Sequence, residues 1–124
     1  MAIQGLDHFN IIAPKELMEE VRDFYVDVIG LQEGYRPDFG FPGYWLYAGE
    51  RPILHLMDRN STGRMSGTGH LDHIALTCTD IGEFEGRLGR LGVDYRKSEH
   101  PGFQLTQLFL HDPVGLGVEL NFKV

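Results

Sequence analysis

A short segment of this chain occurs twice, and no other feature limits its fold as tightly. Leu6-Asp7-His8-Phe9-Asn10-Ile11 returns as Leu71-Asp72-His73-Ile74-Ala75-Leu76, an offset of 65 residues from 8 to 73. A chain of 124 residues with that offset holds two copies of a module of about 60 residues. One such module is too small to cover a sheet face by itself, so pairing of the two copies is expected to be obligatory.

The residues after each copy repeat a pattern as well. In the first, Pro14 suits a helix start, Leu17, Val21, Phe24 and Val28 recur at helical spacing, and Gly30 suits a left-handed cap. In the second, Asp80 is an N-cap with Glu83 three residues on, the pattern of a capping box. Phe84, Leu88 and Leu91 then form the apolar stripe, and Gly92 ends it. Short strands come next in both copies: Leu31 to Arg36 matches Val93 to Lys97, Gly43 to Ala48 matches Thr106 to Leu110, and Pro52 to Met57 matches Leu116 to Phe122. Each copy therefore reads β-α-β-β-β, and the fold class is α+β. The expected organisation is a single domain over 1–124, with module 1 over 1–57, module 2 over 70–124, and a connection rich in Ser, Thr, Gly and Arg over 58–69.

Strand alternation decides which side chains share a face. His8 goes with Asn10 and Ile12, and His73 with Ala75 and Thr77, leaving Phe9, Ile11, Ile74, Leu76 and Cys78 to pack under the helices. In the last strand of each module, His55 falls between Leu54 and Leu56, and Glu119 between Val118 and Leu120, at an offset of 64 from 55 to 119. The first and last strands of both modules thus each put one metal-binding type of side chain on the expected concave face. A single strand histidine is more often a satisfied or exposed residue than a ligand, and Glu119 alone could pair with a base. Four such residues at repeat-related places are harder to dismiss, because a carboxylate among strand-core residues is costly unless paired or metal-bound. His8, His55, His73 and Glu119 are an ordinary ligand set for Zn²⁺, Ni²⁺, Mn²⁺ or Fe²⁺.

Composition narrows the partners. Lys and Arg number 11 against 18 Asp and Glu, a net charge of −7, which opposes long-range attraction to nucleic acid or to an anionic membrane. No apolar stretch approaches the length of a membrane span and no signal peptide opens the chain, so a cytoplasmic setting is expected. Cys78 has no cysteine to pair with and sits in an apolar run, where it reads as a small buried hydrophobe.

At the two His-bearing segments, at Leu108-Phe109-Leu110-His111-Asp112-Pro113-Val114-Gly115 and at Gly117-Val118-Glu119-Leu120, the chain resembles the glyoxalase, bleomycin-resistance and ring-cleaving dioxygenase superfamily, also called vicinal-oxygen-chelate. The resemblance spans essentially the whole chain. It implies paired βαβββ modules curled into a metal-holding cup, one divalent ion per site, a small-molecule substrate and a homodimer. The family's ligand positions fall on His8, His55, His73 and Glu119; Pro113 and Gly115 belong to a structural turn.

Glyoxalase I-like lyases and isomerases usually carry Glu or Gln where this chain has His55. Glu119 is then the only carboxylate in the set, and the resemblance makes it the base that moves a proton between adjacent carbons of a substrate chelated through neighbouring oxygens. Extradiol dioxygenases use two His and one Glu, which His8, His73 and Glu119 would supply, with His100 behind them; Phe109 stands where they usually carry a Tyr. Fosfomycin-modifying thiol transferases share the two-His, one-Glu set but carry a basic tail that Lys123 alone does not match. A non-catalytic binding protein of the bleomycin-resistance type needs no metal at all. Six aromatics between Tyr35 and Tyr47 are expected to divide between the module core and the pocket mouth.

Overall fold

The computed structural model describes residues 6, 8–58, 71 and 73–123. The chain divides into two compact units, Met1–Met65 and Ser66–Val124. Apart from Asp58, the connection expected over 58–69 lies outside the described residues.

Unit 1 holds β1 (Phe9–Ala13), α1 (Lys15–Asp23) continued by a π-helical turn (Phe24–Ile29), β2 (Gln32–Gly34), β3 (Gly43–Ala48) and β4 (Arg51–Asp58). Unit 2 holds β5 (His73–Cys78), α2 (Ile81–Leu91), β6 (Arg96–His100), a 3-10 turn (Pro101–Phe103), β7 (Leu105–His111) and β8 (Gly117–Lys123). The sheets are ordered β1-β4-β3-β2 and β5-β8-β7-β6. In each, the first strand runs parallel to the last and the other pairings are antiparallel. Both units are β-α-β-β-β, the α+β class read from the repeat. Among the described residues no helix is long and apolar enough to cross a membrane.

Alternation along the strands sorts the side chains as expected. Leu54 and Leu56 of β4 and Val118, Leu120 and Phe122 of β8 are buried, whereas His55 and Glu119 lie on the opposite face and are half-buried. Phe9 meets Tyr25 of the first helix edge-on, with ring centroids 6.2 Å apart, and Phe122 meets Phe84 of α2 at 5.6 Å. The apolar face of each sheet is thus the one its helix covers.

The helices depart from the expectation in two ways. In unit 1 the buried residues are Met18, Val21, Tyr25, Val28 and Ile29, so Met18 and Tyr25 take the places foreseen for Leu17 and Phe24. Both stripes have helical spacing and share Val21 and Val28, and the helix settles with Met18 and Tyr25 inward. Its last turn is π-helical, the amides of Gly30 and Leu31 both donating to the Tyr25 carbonyl, at 3.0 and 2.8 Å. In unit 2 only Leu88 of the expected stripe is buried, and Leu91 is 50% exposed. Gly30 and Gly92 do occupy left-handed caps, with φ of 98° and 67°. Asp80 caps α2 by accepting the Glu83 amide at 3.3 Å, while the Glu83 carboxylate turns instead to Arg87 at 3.1 Å, so only half of the capping box forms. The strand expected over 93–97 begins at Arg96, and that over 31–36 shrinks to Gln32–Gly34.

Candidate metal centre

Cross-strand register places the four sequence-derived candidates in two equivalent pairs. Asn10 lies opposite His55 and Ala75 opposite Glu119. His8 and His73 each precede those residues by two, so each sits diagonally beside the partner on the same face. In unit 1 the rings of His8 and His55 stack, with centroids 3.8 Å apart and planes 15° from parallel. In unit 2 the Nε2 of His73 is 4.0 Å from Oε1 of Glu119. The structure therefore brings His8 to His55 and His73 to Glu119. Among the described residues no group of three His, Cys, Asp or Glu stands within one ion's reach.

The two pairs differ in how closely they match a metal's demands. Neighbouring ligands about 2.1 Å from an ion are about 3 Å apart when they meet at a right angle. His73 and Glu119 need close by only about 1 Å, a side-chain rotation. His73 is half open to solvent and Glu119 is largely covered, at 52% and 18% of side-chain exposure, so an ion can reach the imidazole while the carboxylate stays oriented. Stacked imidazoles, in contrast, send their lone pairs along parallel planes. His8 and His55 can converge on one ion only if one ring turns out of the stack. The donor types fit a divalent ion in both units, and the unit 2 pair has the readier geometry.

Each pair has its own support, and here the structure adds residues that strand periodicity does not single out as parts of the site. Trp45 is register-paired with His55 and stacks on its other face at 4.2 Å and 8°, so His55 is sandwiched between His8 and Trp45. Phe39 lies 6.2 Å from Trp45. None of the six aromatics between Tyr35 and Tyr47 is buried, and Leu46 is the core residue of that hairpin. The share of these rings expected in the module core is thus not found there: Tyr44 lies against the helix, with Arg22 at 4.6 Å, and Trp45 builds the histidine face.

In unit 2 the support is polar. The Asn121 amide donates to Oε2 of Glu119 at 3.0 Å, Gln107 donates to Asn121 at 3.0 Å, and the Gln107 carbonyl oxygen lies 3.1 Å from His100 Nε2. Ser98 Oγ is 3.0 Å from the same nitrogen. Glu119 is thus held by one oxygen from β8 itself and the other faces His73. The parity of Asn121, on the face of Glu119, was the sequence signal for this chain of contacts; its pairing across to Gln107 needed the register. Arg96 of β6 lies over the Phe109 ring at 4.3 Å, and Phe109 is paired with Glu119.

Two further residues settle into structural roles. The carboxylate of Asp112 is buried and accepts the amides of Val114 and Leu116, each at 2.9 Å, which shapes the turn that Pro113 and Gly115 were expected to make. Burial pushes the Cys78 thiol above its ordinary pKa, which leaves it a poor nucleophile at neutral pH.

Comparison with known proteins agrees with this architecture. Residues 5–120 match the family model described as the glyoxalase/bleomycin resistance protein/dioxygenase superfamily. The chain is similar to Glyoxylase I 4 of Arabidopsis thaliana, with 29% identity over 125 residues, covering 95% of this chain and 70% of the relative. Among solved structures, TnmS3, an antibiotic-binding protein from Streptomyces sp. CB03234, superposes with a TM-score of 0.72 at 24% identity over 100% of this chain and 99% of that one. A variant of the fosfomycin resistance protein FosX from Listeria monocytogenes, complexed with Mn(II) and 1S,2S-dihydroxypropylphosphonic acid, superposes with a TM-score of 0.70 at 17% identity over 98% of this chain and 94% of that one. With two β-α-β-β-β units and a match over nearly its whole length, the chain belongs to the glyoxalase, bleomycin resistance and dioxygenase superfamily.

Proposed function

We propose that this protein is a metal-dependent lyase or isomerase of the glyoxalase I type, acting on a small substrate that offers two neighbouring oxygens to a divalent ion. The observation that carries the reading is the His73–Glu119 pair, an imidazole and a part-covered carboxylate 4.0 Å apart on one sheet face, at the place equivalent to His8 and His55 in the other unit. The two modules act as one domain over residues 1–124, in a homodimer, and His8, His55, His73 and Glu119 are the proposed ligands.

A bound divalent ion, Ni²⁺, Zn²⁺, Mn²⁺ or Fe²⁺, would supply Lewis-acid polarisation of the substrate oxygens. The chain's own contribution is orientation and proton transfer. Asn121 holds Oε2 of Glu119, which leaves Oε1 facing His73 and the substrate side. Glu119 is the one carboxylate in the set and takes a proton from one carbon and returns it to the next. Trp45, stacked behind His55, fixes that ring and presents apolar surface beside it.

Metal analysis of the purified protein tests this first. About one divalent ion per chain is expected, removed by His73→Ala or Glu119→Ala. A protein that takes up none of the four ions anaerobically is instead a binding protein, the reading favoured by the aromatic wall of Trp45 and Phe39 and by the likeness to TnmS3. Oxygen uptake on catechols by the parent protein would favour the dioxygenase.

A further inference from the structure

Beside the proposed ligands, unit 2 has a recess of about 530 Å³ whose lining includes His73, Glu119, Phe109 and Arg96, a size suited to a small metabolite. Arg96 is the one Lys or Arg on that lining. From this recess we infer that Arg96 is a carboxylate anchor, so that the substrate is a small molecule with two neighbouring oxygens at one end and a carboxylate at the other. The inference rests on the metal-centred function proposed for the same site and adds the class of substrate to it.

Three observations support it. The first is register. Arg96 pairs with Phe109 and Phe109 with Glu119, so the three side chains form one row across β6, β7 and β8 on the face that carries His73. Strands lie about 4.8 Å apart, which puts the Arg96 and Glu119 backbones about 10 Å from each other. The Arg96 guanidinium lies over the ring of the middle residue, on the Glu119 side of its own strand, and a ligand of three or four carbons suits the interval that is left.

The second is posture. Arg96 lies over Phe109 at 4.3 Å. Ring stacking occupies the flat face of a guanidinium and leaves its N–H edges for a planar, bidentate partner, which a carboxylate supplies. The third is the absence of a competing use. Arg22 is held by Asp23 at 3.0 Å, Arg87 by Glu83 at 3.1 Å and Lys97 by Glu85 at 3.1 Å. Among the described residues Arg96 makes no ion pair, although Asp94 also lines the recess. In a chain of net charge −7, an arginine beside proposed metal ligands that makes no ion pair among the described residues is a local reversal of sign that a neutral substrate would not need.

The experiment uses two probes and Zn²⁺-loaded protein. The monohydroxamate of succinic acid has two chelating oxygens and a free terminal carboxylate; its terminal amide has the same chelating end without the charge. Calorimetry should show the carboxylate binding at least about 10-fold tighter than the amide. Arg96→Gln should erase that preference while leaving Zn²⁺ content unchanged, and Arg96→Lys, a point charge without the fork, should keep part of it. Equal binding of the two probes to the parent, or a preference that survives Arg96→Gln, overturns the anchor. If the parent takes up no Zn²⁺, the metal reading fails instead, and Arg96 is judged in metal-free protein by succinate titration. Saturable shifts of the Arg96 Nε–H and Phe109 ring signals, with the Phe109 shift lost in Arg96→Gln, uphold the anchor, and unmoved signals in the parent refute it.

Discussion

The two units carry one backbone plan and two chemistries. In both, a histidine that opens the first strand (His73) or immediately precedes it (His8) stands beside a ligand-type residue in the middle of the last strand. In unit 1 that second residue is His55, held between parallel rings. In unit 2 it is Glu119, held by a line of hydrogen bonds that crosses three strands. A repeat therefore dictates where side chains converge, while the neighbours decide what they can do there. Rings keep an imidazole in place without engaging its nitrogens, whereas amides set the direction of a carboxylate oxygen by oxygen.

The largest expected effect comes from breaking the polar side. Glu119→Ala removes the only anionic donor proposed, and His73→Ala its neighbour, so each should lower metal affinity by at least about 100-fold. That exceeds the 10- to 100-fold that loss of a supporting residue costs. His55→Ala on the stacked side should cost about 10- to 100-fold if the ring leaves its stack to ligate. Full metal retention in His55→Ala would make His55 a wall for His8 and leave His8, His73 and Glu119 as the ligands. Titration calorimetry on the three variants separates these outcomes.

How much of this the sequence disclosed divides along the same line. Parity along a strand depends only on counting residues, so the faces of His8, His55, His73 and Glu119 were readable from the repeat, as was the element order β-α-β-β-β of each copy; the order of strands within each sheet was not. The helix details were not, because Leu17-Met18 and Phe24-Tyr25 are adjacent apolar or aromatic pairs and either member fits helical spacing; Met18 and Tyr25 are the ones that face the core. Pairings across strands were also hidden. That Trp45 would back His55, or that Gln107 would meet Asn121, depends on register, which turns and a bulge near Leu46 and Tyr47 help to set.

A smaller effect should come from cutting the hydrogen-bond line without touching a proposed ligand. A carboxylate only accepts, so Asn121 must turn its NH₂ to Glu119 and its oxygen to Gln107. Gln107 then presents its oxygen to His100, and the shared proton must sit on Nε2 of His100. Nitrogen-15 NMR should find neutral His100 in the Nε2–H form, and Gln107→Leu should let the other tautomer appear. Asn121→Leu frees Oε2 of Glu119 and should weaken metal binding by about 10-fold, the lower end for a residue that orients a ligand. An Nδ1–H form in the parent protein would show that the line does not run in this direction.

The smallest effect concerns how each helix is tied to its sheet, where the units again solve one problem differently. In unit 1 Tyr44 sits under Arg22 with its hydroxyl 3.5 Å from Glu19; burial raises the tyrosine's pKa, partly offset by the arginine. In unit 2 Tyr95 donates to Glu85 of α2 at 2.8 Å and Lys97 of β6 donates to it at 3.1 Å. These two hydrogen bonds, the one from Tyr95 first, hold the Glu85 carboxyl below its ordinary pKa. A carboxylate lowered by folding adds stability above its unfolded pKa and gives it up as pH falls through the lower, folded one. Lys97 and Tyr95 are both raised, chiefly by their hydrogen bonds to Glu85, so their part is present below about pH 10 and is lost as pH rises further. The cluster is solvent-screened, and Glu85→Gln should lower the melting temperature by only about 1–3 °C at pH 7. The gap between parent and variant should close at both extremes of pH. A gap that stays constant from pH 7 down to the acid unfolding limit would mean that Glu85 acts there through packing and not through its charge.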